Sequence, residues 1–206
     1  LVDLNQLDNL PQINLPAEQQ AFAIKRFDRS GDTRIHMEDF AQVLVKYPHD
    51  KYASANYEQI GRILYEYSGD NLTDVQQFAR RLLVNVLLGN GDAHLKNWSL
   101  LYADQTTPRL SPAYDILTTN VYIEDERQFA LNLGKSKNWY QVSLTNFQAW
   151  ADKSAIPWRV IKPHMDEVLD KAKTLWPAAL RDLPMNEGHK VKLVERWQRL
   201  HEDFRF

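Results

Sequence analysis

The sequence predicts an α+β protein, mostly helical, with a small extended component set between two helical stretches. Three observations carry this. Apolar residues recur at helical spacing three times between positions 40 and 87, the pattern changes to short extended pieces from 97 to 115, and it turns helical again from Leu144 onward.

Residues 1–20 hold Pro11, Pro16 and few consecutive apolar positions, which predicts a loop or an irregular edge. Residues 21–27 predict a strand with Phe22, Ile24 and Phe27 placed for burial, ending in the turn Asp28-Arg29-Ser30-Gly31-Asp32. In the first helical pattern Phe40, Val43, Leu44 and Tyr47 share a face before Pro48 ends it; in the second, Tyr57, Ile60, Ile63, Leu64 and Tyr67 repeat. The third is the most apolar, with Val75, Phe78, Ala79, Leu82, Leu83, Val86 and Leu87, and Thr73 with Gln76 predicts a capping box at its start. It is expected to be the central buried helix. Residues 97–102 and 109–111, separated by a polar turn, predict a hairpin. Further on, Pro157 opens a helix with Val160, Ile161, His164, Val168, Ala172 and Leu175 at core spacing, and Val191, Leu193, Val194, Trp197 and Leu200 mark a last one.

Composition removes several classes of function. The 206 residues are 44% hydrophobic, enough for one substantial core, and carry a formal net charge of -2 without a block of like charge. Unaided DNA binding is therefore not expected. The absence of cysteine excludes disulfides, thiolate zinc sites and cysteine nucleophiles, and fits a reducing, cytoplasmic setting. No apolar run approaches the roughly 18 residues of a membrane span, and no membrane association is expected.

The chemistry concentrates in Gly89-Asn90-Gly91-Asp92-Ala93-His94-Leu95-Lys96-Asn97, where a small-residue turn leaves the buried helix. Phosphoryl transfer needs a carboxylate to take the acceptor's proton and oxygen ligands for Mg²⁺. Asp92 and Asn97 stand at the five-residue separation of a kinase catalytic loop, and Asp115 comes after the hairpin, where such a fold supplies its main metal carboxylate. Each piece has a plainer reading. Alone, Asn90-Gly91-Asp92 is a common turn, and Asp92 with His94 lacks a third zinc ligand. His36, Glu38 and Asp39 read as a helix cap and first-turn carboxylates, with Gln42 one turn on able to reach a ribose, and the six tryptophans read as packing.

Four pieces occur together in order: Phe27-Asp28-Arg29, His36-x-Glu38-Asp39-Phe40-x-Gln42, Gly91-Asp92-x-His94-x-Lys96-Asn97, and Ser111-Pro112-x-Tyr114-Asp115-Ile116. In this the chain resembles the HipA-like serine/threonine kinases, toxins of type II toxin-antitoxin systems, over nearly its whole length and most firmly from Phe22 to Thr118. The resemblance implies a protein-kinase-like fold, with 1–28 as the end of the small N-terminal lobe and hinge strand and 29–206 as the helical C-terminal lobe carrying the catalytic and metal-binding loops. It implies that Lys25, Arg26 and Phe27 meet adenine through backbone groups, that Asp92 is the catalytic base, and that Asn97 and Asp115 hold Mg²⁺. His94, Leu95, Lys96, Asn97, Tyr114 and Asp115 would line the nucleotide site. ATP and Mg²⁺ are implied as cofactors and a protein hydroxyl as acceptor, aminoacyl-tRNA synthetases being the family's best-known targets. A HipB-like DNA-binding antitoxin is implied as partner, with DNA reached mainly through it. The family's phosphate-cradling loop and its lysine lie upstream of the hinge, and the first twenty residues contain neither glycine nor lysine. Two other readings stand beside this one: a small-molecule phosphotransferase of the aminoglycoside or choline kind, and a non-catalytic antitoxin-binding module.

Overall fold

The computed structural model describes residues 2–3, 20–52 and 55–206. The loop expected around Pro11 and Pro16 lies outside the described residues. The chain divides into two compact units, Leu1–Arg34 and Ile35–Phe206.

In the first unit, β1 (Val2–Asp3) pairs antiparallel with β2 (Gln20–Ala21), and β3 (Arg29–Ser30) with β4 (Thr33–Arg34). The strand expected over 21–27 is not formed beyond Ala21, and Phe22 and Ile24 are exposed rather than buried. Alternation buries a side chain only where a second layer covers that face, and among the described residues none covers these two positions. Asp28 is buried, and its carboxylate takes two hydrogen bonds from Arg26 (2.8 and 2.6 Å) and one from Arg29 (2.5 Å). The Arg26 hydrogen bond holds the Asp28 carboxyl down at about 2.

The second unit begins with β5 (His36–Asp39) and the single turn α1 (Phe40–Val43). Asp39 caps α1 in a capping box with Gln42, so the expected cap is present, but Glu38 belongs to the strand and not to the helix's first turn. The helix ends earlier than its apolar spacing predicts because Val45 adopts φ +53°, which leaves Tyr47 in solvent. Next come α2 (Tyr57–Tyr67) and α3 (Asn71–Leu88). The cap of α3 is Asp70, which accepts from the Thr73 amide at 3.3 Å; Thr73 and Gln76 lie inside the helix instead of opening it.

As expected, α3 is the central buried helix. Val75, Phe78, Ala79, Leu82, Leu83, Val86 and Leu87 are all buried, each large side chain contributing roughly 1.5–3 kcal/mol. The predicted hairpin forms from β6 (Ser99–Tyr102) and β7 (Arg109–Leu110), and β5 joins β6 on the other side to complete an antiparallel sheet ordered β5-β6-β7. A second hairpin, β8 (Gln128–Leu133) with β9 (Ser136–Asn138), was not legible in the sequence. Its Phe129, Ala130, Leu131 and Leu133 are buried. The helices α4 (Leu144–Lys153), α5 (Trp158–Asp182) and α6 (Glu187–Arg199) close the core. The inward face of α5 is Ile161, Met165, Ala172 and Leu180, with Leu175 exposed, and α6 buries Leu193 and Trp197 while Val191 and Val194 face out. Apolar spacing alone chose too broad a stripe on both helices.

Asp74, buried in the first turn of α3, ties helix and sheet together. Its carboxylate accepts from the Arg109 side chain twice at 3.1 Å, from the Leu110 amide at 2.8 Å and from the Ser68 hydroxyl. The hairpin that leads into residues 111–115 is thereby fixed on α3. Hydrogen bonds to charged groups contribute about 1.5–3 kcal/mol. Asp74→Asn is expected to lose an amount in that range, read from urea denaturation midpoints, and an unchanged midpoint would contradict this anchoring role.

Candidate active site

The site grows from the C-terminal end of α3, where the last carbonyls of a helix need partners from elsewhere. Gly89 takes the left-handed conformation there (φ +70°), and the amides of Gly89 and Asn90 both donate to the Asn85 carbonyl at 3.0 Å. The next two carbonyls are taken by α6: Arg196 donates to Val86 and the Trp197 indole to Leu87 at 3.1 Å. Arg196 is buried against the Trp139 ring, 4.4 Å from its centroid, and burial pushes its guanidinium down to about 10, still protonated at neutral pH. A Cβ on Gly89 would stand 2.7 Å from the Arg196 guanidinium carbon, so glycine is required there for space as well as for φ.

Asn90 organises the loop that leaves the helix. Its side chain is buried, and its amide nitrogen donates to Asn85 Oδ1 (2.8 Å) and to the Asp115 carbonyl (3.3 Å), while its oxygen accepts from the Asp92 amide (3.1 Å). One side chain thus joins α3, the 89–97 loop and the 111–116 segment. Thr119 does similar work on the other flank, its hydroxyl accepting from the Gly91 amide (2.8 Å) and lying 2.6 Å from Glu126.

Asp92 and Asn97 are linked directly: the Asn97 amide donates to the Asp92 carbonyl at 2.9 Å, which leaves the Asn97 oxygen for another partner. The Asp92 carboxylate is 44% exposed, accepts from the Tyr52 hydroxyl, and lies 3.8 Å from His94 Nε2. His94 itself is buried, its Nδ1 without a partner among the described residues, and burial lowers its pKa below the ordinary 6.5 despite the pull of Asp92. It is therefore neutral at pH 7. Lys96 is exposed; the Leu95 side chain is wholly buried and belongs to the core.

The 111–116 segment is held from both sides. Arg81 donates to the Ser111 carbonyl at 2.7 Å, and the Tyr114 hydroxyl donates to the Lys96 carbonyl at 2.8 Å beside Ser99. Burial raises the Tyr114 hydroxyl to about 12. Asp115 is exposed and takes φ +55°, which costs a non-glycine residue about 1–3 kcal/mol and persists where the surroundings impose it. Asn97, Tyr114 and Asp115 line one narrow cleft together with Asn90 and Arg81.

The donor set suits Mg²⁺. An amide oxygen and a carboxylate are hard ligands, and Mg²⁺ commonly takes one or two protein groups while phosphates and water complete its shell. Asn97 and Asp115 would be its protein ligands. Lys25, Arg26 and Phe27 lie in the first unit, in an irregular stretch where Lys25 is exposed and the Arg26 side chain is committed to Asp28. Gln42 spends its side chain on the α1 cap. Sequence reasoning missed the contacts that Asn90 and Tyr52 make with this loop, since neither burial nor a partner some forty residues away leaves a local pattern.

The arrangement has counterparts among known proteins. The model of the HipA-like C-terminal domain matches residues 8–176. The chain belongs to this family. The HipA-like chain is 43% identical over 185 residues to a provisionally named kinase, Y4dM, of Sinorhizobium fredii, which covers 90% of the chain and 45% of Y4dM. A second provisionally named kinase of that organism, Y4mE, is 30% identical over 167 residues, 77% of the chain and 40% of the relative. The chain thus spans less than half the length of these curated relatives. Its fold is shared with HipA of Shewanella oneidensis MR-1, solved with HipB and its operator DNA: the TM-score is 0.69 over 85% of this chain and 47% of that one, at 20% identity. The protein-kinase-like α+β fold expected from the sequence is the fold this HipA-like chain adopts. Among the described residues, no helix is long and apolar enough to cross a membrane.

The Asn90 bridge gives the site a stability test. Asn90→Ala leaves the Asp92 amide and Asn85 Oδ1 without their buried partner, and an unsatisfied buried polar group costs about 1–3 kcal/mol. The expected result is a loss in that range with faster hydrogen exchange across residues 111–118. Exchange unchanged in that segment would show that Asn90 does not tie it to the loop.

Proposed function

We propose that the chain carries the catalytic and metal-binding loops of an ATP- and Mg²⁺-dependent serine/threonine protein kinase of the HipA toxin type. One observation carries the reading: Asp92, Asn97 and Asp115 are joined through Asn90 and the Asn97–Asp92 hydrogen bond into a single cluster at the end of the most buried helix. In the reaction, the acceptor oxygen attacks the γ-phosphorus, the bond from that phosphorus to the bridging oxygen of ADP breaks, and the hydroxyl proton passes to Asp92. Bound Mg²⁺ supplies charge neutralisation at the phosphates. Asp92 is suited to its part because its carboxylate is half exposed while its backbone amide and carbonyl are held by the Asn90 and Asn97 side chains. His94, neutral beside it, adds no competing positive charge.

The family supports the finer parts of the proposal. A protein acceptor is preferred, with an aminoacyl-tRNA synthetase as the first candidate. The Shewanella HipA is held with HipB and operator DNA, and we extend a HipB-like antitoxin to this chain. A formal net charge of -2 agrees with DNA being reached through that partner. A cytoplasmic setting belongs to the same proposal.

The test uses the full-length protein with labelled ATP, Mg²⁺ and a mixture of proteins and small hydroxyl-bearing metabolites. Label is expected on serine or threonine of a protein, and label on a small molecule would favour the metabolite-kinase reading. Asp92→Asn is expected to lower kcat about 10²–10⁴-fold, the usual contribution of a general base. Asp115→Ala is expected to weaken nucleotide binding more with Mg²⁺ than without it in calorimetry. Near-normal turnover in the first variant, or equal losses in the second, would contradict the assigned roles.

A further inference from the structure

Tyr52 has no part in the chemistry above, yet its hydroxyl donates to Asp92 Oδ1, an oxygen of the carboxylate assigned to receive the acceptor's proton. The contact is not incidental to the loop. The Tyr52 ring stands edge-on to His94 with centroids 5.1 Å apart, the Lys51 ammonium lies 4.8 Å above it, and the Lys51 carbonyl accepts from the Leu95 amide at 3.4 Å. Residues 51–52 are therefore fastened to the 92–95 loop by backbone as well as side chain. Burial and the bond to Asp92 raise the Tyr52 hydroxyl to about 12, so it remains a proton donor throughout the neutral range.

A carboxylate oxygen accepting from a hydroxyl is the arrangement a serine or threonine acceptor needs just before transfer. In this chain the phenol already provides it. Tyr52 is 43% exposed and sits at the edge of an open groove of about 490 Å³ that also includes Gly91, Glu126, Arg127 and Lys137. Strand β8 forms one border of this groove through Gln128, Phe129 and Ala130. Charges of both signs and a strand border suit an extended polypeptide more than a small molecule enclosed on all sides. Glycine at position 91 lets the Glu126 carboxylate come close to the loop, since a Cβ there would meet Glu126 Oε1 at 2.2 Å.

We infer that the Tyr52 hydroxyl occupies the seat of the acceptor hydroxyl, and that the groove beside it admits the acceptor polypeptide, whose serine or threonine displaces the phenol from Asp92. This rests on the reading of Asp92 as the base. Until an acceptor arrives, the phenol denies Asp92 Oδ1 to water. A half-exposed ring at a groove edge can leave without opening the core.

The test compares the full-length protein with Tyr52→Phe, which keeps the ring on His94 and removes only the hydroxyl. Hydrolysis of Mg·ATP with no acceptor present is expected to rise roughly tenfold, near the lower end of what a hydrogen bond to a charged group contributes. The KM for a degenerate serine/threonine peptide pool is expected to fall while kcat changes little, and Asp92→Asn combined with Tyr52→Phe should abolish both rates. Lower or unchanged hydrolysis in Tyr52→Phe, with Asp92→Asn inactive, overturns the seat alone and makes Tyr52 a support for the base. Phosphate found on Tyr52 of the wild type also overturns it, because the phenol would then be an acceptor and not a placeholder. Normal activity in Asp92→Asn overturns the base assignment, and the seat with it.

Discussion

The arrangement of this protein turns on one buried amide. Asn90 is 1% exposed, and a polar side chain so placed is tolerable only when its hydrogen bonds are made. It makes three, to Asn85 on α3, to the Asp92 amide in the loop, and to the Asp115 carbonyl beyond the sheet. Losing them would leave the polar atoms of a buried side chain without partners, so the loop and the 111–116 segment are held in one relation to the helix. The two carboxylates proposed for proton transfer and metal binding belong to these two segments. Their relation is set by desolvation cost as much as by any attraction between them.

The rest of the larger unit can be understood as the framework that keeps that amide in place. The α3 helix is rigid because its apolar side chains are buried against its neighbours, and its C-terminal carbonyls are accounted for by Asn90, Gly89, Arg196 and Trp197. A guanidinium at this end also suits the negative pole of the helix. At the opposite end, Asp74 fixes the β6–β7 hairpin, which feeds into Ser111 and so into Asp115. Asp115 in a left-handed conformation is one of the places where this framework imposes a local cost.

Local signals were the legible ones. The α3 helix, the β6–β7 hairpin and the glycine turn at 89–91 each announce themselves within a dozen residues, through period, polar turn and small side chains. The five-residue separation of Asp92 and Asn97 is local in the same way, whereas Asp115 stands out only through the order of motifs along the chain. Information carried across the chain was not. The pairing of β5 with β6 joins His36 to Tyr102, and no periodicity in residues 36–39 distinguishes a strand from a helix start. Phe22 and Ile24 alternate like a half-buried strand, yet burial depends on a covering layer that the alternation does not specify. Leu175 and Val191 fit a helical stripe, but the curvature of the core decides how wide that stripe is. Tyr52 carries no local signal of its own, because its partner Asp92 stands forty residues on.

The most direct test of the proposed site is a crystal structure of the full-length protein with Mg²⁺ and a non-hydrolysable ATP analogue. A metal ion is expected at roughly 2.0–2.1 Å from the Asn97 oxygen and the Asp115 carboxylate, with the γ-phosphate directed toward Asp92 and the Asn90 bridge intact. A metal ligated by other side chains, or a nucleotide bound away from the cleft of Asn97, Tyr114 and Asp115, would contradict the assignment.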